Sequence, residues 1–183
     1  NLSYNSNQNF NDIKIQRKFI ESSTKEVTSH FDQETKLKNE SQSYYAKLGM
    51  DYSVSKKTTI GFVLTGNINP SEFKSNSDVY ISDPNRNLLS RTLANSGNNT
   101  KWKSYTTNLN FRHVFDSSGK ELTADVDFLN YGRKNSNSLI NAYYDPFGIP
   151  YMKADTLYGN LPQDIDIRTA KFDYLHPLKN GAK

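Results

Sequence analysis

The sequence predicts an all-β chain, an antiparallel up-and-down meander of about six long strands. Three observations carry this. Apolar and polar residues alternate with period two in several runs, as where Leu109 and Phe111 interleave with Asn110 and Arg112; a strand with one apolar and one polar face reads this way. Short turn signals centre on Lys57, Gly119 and Gly181, a constant spacing of 62 residues. The chain is also hydrophilic yet aromatic: mean hydropathy is −0.80, but 13% of the 183 residues are Phe, Trp or Tyr. Disordered chains are poor in aromatics, so disorder does not account for the whole.

The clearest element is the hairpin from Ser104 to Asn130. Thr107, Leu109, Phe111, His113 and Phe115 share one face of its first run. Leu122, Ala124, Val126 and Phe128 share one face of the second, and Asp116-Ser117-Ser118-Gly119 joins them. So short a turn forces antiparallel pairing. A second hairpin has the same design. Ala46, Leu48, Met50, Tyr52 and Val54 precede a turn at Lys56, Lys57 and Thr58, and Ile60, Phe62, Leu64 and Ile68 follow it, with Pro70 expected at the fraying end. Residues 1–20 are read as an ascending strand containing Ile13 and Ile15. Residues 165–178 return to alternation through Ile165, Ile167, Ala170, Phe172, Tyr174 and Leu178, before a turn signal at Asn180-Gly181.

Three intervening segments, 21–40, 71–99 and 132–164, are polar and poorly periodic, and are expected as long loops. A helix competes over the charged 21–40. Short turns at one end and long loops at the other is the plan of an outer-membrane barrel, whose strands follow one another because every backbone group in lipid must be paired. Residues 1–183 are therefore expected to form one partial barrel domain, part of a larger transmembrane β-barrel. Both ends of the sequence are read as cut rather than natural. No run approaches the roughly 18 apolar residues of a membrane helix, whereas a membrane strand needs only about 9–11 alternating ones.

Three stretches carry a family likeness: AKLGMDYSVSKKTTIGF at 46–62, NLNFRHVFDSSGKELTADVDF at 108–128 and KFDYLHPLKNGAK at 171–183. Together they resemble the outer-membrane β-barrel region of TonB-dependent-receptor-like proteins of the Bacteroidetes type. The resemblance implies a barrel of about 22 strands closed by a plug domain, so this chain would be a fragment. Its implied setting is the bacterial outer membrane, and its implied role is uptake of an unknown ligand. The implied partners are membrane lipid, the remaining barrel strands, the plug and, through the plug, TonB. The alternative is a soluble or cell-surface all-β binding or adhesion module, whose apolar faces would oppose each other in a sandwich.

No enzyme is expected. Asp125 and Asp127 share a strand face, but no base or nucleophile motif accompanies them. Pairing with a basic neighbour such as Arg112 is favoured over acid–base chemistry. Asn110, Arg112, Asp125 and Asp127 are the candidate ligand-binding residues of the lumen; Tyr143, Tyr144, Phe147 and Tyr151 are the candidates in a loop. His30, His113 and His176 lack metal-ligand spacing. Asp83, Asn85 and Asn87 only partly match a calcium loop, with Ala94 where that loop needs Glu. Cysteine is absent, so there is neither disulfide nor thiolate site. No cofactor is expected. Scattered basic residues at a net charge of +4 give no nucleic-acid footprint. Trp102, Tyr105, Tyr131, Tyr52, Phe115, Phe128 and Tyr174 are read as interfacial girdles.

Overall fold

A computed structural model describes residues 1–177. Leu178 and the turn expected at Asn180-Gly181 lie outside them. The described chain is all-β, a seven-stranded antiparallel sheet: β1 (Leu2–Ile20), β2 (Val27–Ser55), β3 (Thr58–Ser82), β4 (Leu88–Val114), β5 (Glu121–Tyr144), β6 (Asp155–Asn160) and β7 (Gln163–Leu175). Each strand pairs with the next in sequence, except that β6 and β7 both pair with β5. These two hold one continuous register, Asn160 opposite Ser136 and Gln163 opposite Arg133. They are two parts of one strand, interrupted at Leu161-Pro162 where proline has no N–H; Leu161 still donates its amide to the Asn135 carbonyl at 2.8 Å. The sheet is open, with β1 at one edge and β6/β7 at the other.

The three expected long loops are a correction. Residues 27–40, 71–82, 88–99 and 132–144 are strand, and the connections shrink to 21–26, 83–87 and 145–154. Pro70 does not end its strand either. It sits within β3, where two rungs to β2 are missing between Ser41–Ser71 and Tyr44–Ile68, and pairing resumes on both sides. β2 is 29 residues long, roughly 95 Å at a strand's rise per residue, far more than a bilayer requires.

At the other end the connections lie directly beside the apolar residues of the strands. Lys56-Lys57 joins β2 to β3 and residues 115–120 join β4 to β5. In the latter, Asp116 Oδ1 accepts from the Ser118 amide at 2.9 Å and from its hydroxyl, while Gly119 takes φ +88°, a conformation that favours glycine.

Register places side chains on the two faces. Met50, Phe62, Leu109, Val126 and Ala170 lie in one cross-strand row; Tyr52, Ile60, Phe111, Ala124 and Phe172 form the next. This apolar face has no second layer over it. No hydrophobic side chain is buried among the described residues, and Leu48, Met50 and Phe172 are 63%, 57% and 71% exposed. A sandwich would have covered them. On β2 the apolar stretch runs from Tyr44 to Val54, about 33 Å along a strand. At the ~40° tilt of barrel strands that is about 25 Å of height, the thickness of a lipid-facing band.

The upper edge of the band is stepped. It lies at Ile68 on β3, Tyr105 on β4, Phe128 on β5 and Ala170 on β7, falling about two residues per strand against the register lines. A horizontal band crossing tilted, staggered strands produces such a descent. Beyond the edge the same face becomes charged and ion-paired: Lys38–Glu40 at 2.9 Å, Lys74–Glu72 at 2.7 Å and Arg91–Asp78 at 2.6 Å.

Two face assignments differ from expectation. Trp102 and Tyr131 stand on the polar face, opposite Asn69 and Ser104, so they are not in the girdles. Ile165 and Ile167 also lie there, opposite Tyr131 and Leu129, not with Ala170 and Phe172. Their odd positions decide this, because a strand changes face at every residue.

Candidate functional site: the polar face

Near the tight turns the polar face carries the predicted carboxylates. Asp51, Gly61, Asn110, Asp125 and Lys171 form one row, and Gly49, Val63, Asn108, Asp127 and Thr169 the next. Asp127 accepts from Asn108 Nδ2 at 2.7 Å and from Thr169 Oγ1 at 3.1 Å. Asn110 Nδ2 reaches Asn108 Oδ1 at 3.4 Å. Gly61 leaves room for its row neighbours, since a Cβ there would collide with the side chains of Asp51 and Asn110.

The structure brings Asn110, Asp125 and Asp127 onto one patch but gives Arg112 another partner. Arg112 grips Glu121 in a two-pronged pair, Nε to Oε1 at 2.8 Å and Nη2 to Oε2 at 2.7 Å, rather than either aspartate. The Lys171 ammonium stands opposite Asp125 in register and pairs with Asp173 at 2.6 Å. Asp127 is thus held by an amide and a hydroxyl, while Asp125 faces Lys171 across the register with no side-chain hydrogen bond of its own among the described residues.

Further from the tight turns this face changes character. Ser41, Ser71, Thr100 and Asn135 form a row, as do Asn39, Phe73, Asn98 and Asn137. Apart from Phe73 these rows are neutral amides and hydroxyls, while the Lys38–Glu40 and Lys74–Glu72 pairs at this level sit on the opposite face.

Between the two zones lies Trp102, flanked in register by Asn69 and Arg133. The Arg133 guanidinium stands over the indole, 5.4 Å from its centre. Arg133 Nε and the amide oxygens of Asn67, Asn69 and Asn135 are shielded from solvent yet have no hydrogen-bond partner among the described residues. Unpaired buried polar atoms are costly and call for an explanation; here a donor and three acceptors lie on the two strands that flank Trp102. Sequence reasoning missed this patch. The available signal was parity, which puts Trp102 on the face of Ser104 and Asn108.

The candidate loop aromatics divide. Tyr143 and Tyr144 end β5, whereas Phe147 and Tyr151 lie in the 145–154 connection. Tyr143 donates to Asp155 at 2.7 Å, which raises the pKa of its phenol, and packs at 6.4 Å from Tyr151. Phe147 is 88% exposed. Asp83 of the partial calcium motif is occupied within its own turn, accepting from the Asn87 amide and side chain at 2.8 Å each. Those bonds hold its carboxyl below the usual range.

On the apolar face, aromatic rings gather at two levels. Tyr52, His113, Phe115 and Tyr174 lie toward the tight turns, with Phe115 and Tyr174 edge-to-face at 6.1 Å. Tyr4, Tyr44 and Tyr105 lie at the upper edge, the first two 5.0 Å apart.

Residues 113–183 match the model of an outer membrane protein beta-barrel family. No curated protein matches the chain. The family match, the uncovered apolar band and the meander agree: this is an outer-membrane β-barrel region, located in the bacterial outer membrane, with membrane lipid against its apolar face.

Proposed function

We propose that the chain is a wall segment of a TonB-dependent-receptor-type barrel that takes up a polar ligand of little net charge. The observation that carries this reading is the polar face. It is a wall rich in amides and hydroxyls, in which Asp127 is engaged by Asn108 and Thr169, and unpaired hydrogen-bonding atoms lie on both strands beside Trp102. The rows beyond Trp102, Ser41–Ser71–Thr100–Asn135 and Asn39–Phe73–Asn98–Asn137, carry no charged side chain. A neutral polar ligand needs donors, acceptors and an aromatic surface, which are there. The role is binding and passage without a catalytic step. The plug domain and TonB are the partners of this reading, one closing the lumen and the other coupling it to energy.

The test is solute depletion. The parent strain, a strain lacking the receptor and a TonB-deficient strain are grown in one medium, and small solutes are followed by mass spectrometry. A neutral polar solute should be depleted only where receptor and TonB are both present, and Trp102→Ala should slow its uptake. If no solute requires both proteins, the uptake reading fails; if the solute is strongly charged, the ligand class fails.

A further inference from the structure

At the upper edge of the apolar band, the lipid side of the sheet has a dent. Its floor is Ala46 opposite Gly66, the smallest pair in the row, and its walls are Leu2, Tyr44, Ile68 and Tyr105. Gly66 has only the Tyr105 ring within 4 Å of where a Cβ would stand, so the floor is open to the bilayer. The groove continues along the strands past Gln42 and Pro70 into a polar stretch. There Lys103 stands opposite Ile68, and Lys101 stands opposite both Pro70 and Lys134.

Like charges directly opposite on adjacent strands are destabilising, and nothing among the described residues relieves this pair. Among the described residues no carboxylate forms an ion pair with Lys101, Lys103 or Lys134. The nearby Glu40 and Glu72 are engaged by Lys38 and Lys74 at 2.9 and 2.7 Å. Three exposed ammonium groups thus gather above an apolar dent, Lys103 one step and Lys101 and Lys134 two steps beyond the Ala46–Gly66 row. Lysines at such a boundary attract anionic headgroups.

We infer that this surface binds an outer-leaflet lipid, with a headgroup phosphate held by Lys101, Lys103 and Lys134 and an acyl chain lying over Ala46 and Gly66. Charge complementarity selects the anion, and the adjoining dent selects a lipid over a soluble phosphate. The site rests on the band facing lipid and on the 83–87 end facing outward, and is independent of what the lumen carries.

The full-length receptor in nanodiscs tests it, with bisphosphorylated lipid A, its dephosphorylated form and inorganic phosphate as probes. Wild type should prefer bisphosphorylated over dephosphorylated lipid A. The triple variant K101Q/K103Q/K134Q should bind it about a hundredfold more weakly, about fivefold for each lysine at the membrane surface. Gly66→Leu, which fills the dent, should weaken both lipid forms alike. Heat-modified migration on gels reports insertion separately, so loss of the site is distinguishable from failure of the barrel. Unchanged lipid A affinity in the inserted triple variant overturns the proposal. So does inorganic phosphate binding as tightly as lipid A, which would make this a soluble-anion site.

Discussion

Leu109 and Asn110 are neighbours in sequence and inhabit different solvents. Leu109 is 53% exposed on the lipid face, while Asn110 bonds Asn108 on the polar face. A charge at Leu109 must therefore enter hydrocarbon, and one at Asn110 remains wet. Leu109→Arg is expected to cost about 2–4 kcal/mol, the penalty for arginine near the bilayer midplane, and Asn110→Arg much less. Urea-dependent folding of the full receptor into vesicles measures both. Equal costs would refute the face assignment. The alternation that separates these two residues was plain in the sequence, and so was the shared face of Asn110, Asp125 and Asp127. The partner of Arg112 was not. Glu121 and the two aspartates are all on the neighbouring strand, and only the register fixes which carboxylate the guanidinium meets.

At the scale of elements, strand was recognisable where the two faces meet different solvents and unreadable where both meet water. Residues 44–54 alternate because lipid lies on one side. Residues 71–82 and 88–99 do not, since charged pairs on one face and amides on the other are equally hydrophilic, and Asn, Ser and Lys have poor strand propensity. They are strand because each is paired along its length to a neighbour. The β3–β4 hairpin shows what secures such an extension. Arg91 holds Asp78 by two bonds, at 2.8 and 2.6 Å, and Tyr80 donates to the same carboxylate at 2.8 Å. The arginine bonds first, then the tyrosine, keep the Asp78 carboxyl below its usual range. A depressed carboxylate stabilises the fold above its ordinary pKa near ~4, and that contribution disappears as pH falls through the lower folded value. Amide exchange over residues 79–91, corrected for intrinsic rates, should therefore accelerate below about pH 4. Arg91→Met, which removes the pair, should flatten the acceleration. An unchanged profile in that variant would show that the pair does not hold the hairpin.

For the whole molecule, the decisive property is the direction in which the sheet stands in the membrane. In outer-membrane barrels the short segments outside the lipid band face the periplasm and the long ones face outward; here the long ones are the strand extensions beyond the band that end at 21–26, 83–87 and 145–154. With no native cysteine, single-cysteine variants report this directly. Asn85→Cys should react with an impermeant maleimide on intact cells, and Ser118→Cys only after the outer membrane is opened. The reverse pattern would invert the assignment. The sequence by itself determined the all-β class, the antiparallel order and the apolar band, since period-two contrast and the turn residues of 56–57 and 116–119 are local properties of the chain. Tertiary structure alone decided how far the strands extend, that β6 and β7 are one interrupted strand, and that Trp102 turns to the polar face among unpaired amides. It also decided that Lys101 and Lys134, 33 positions apart in the numbering, meet above a dent. These depend on register between strands, and register is set by pairing across the sheet, which no single strand encodes.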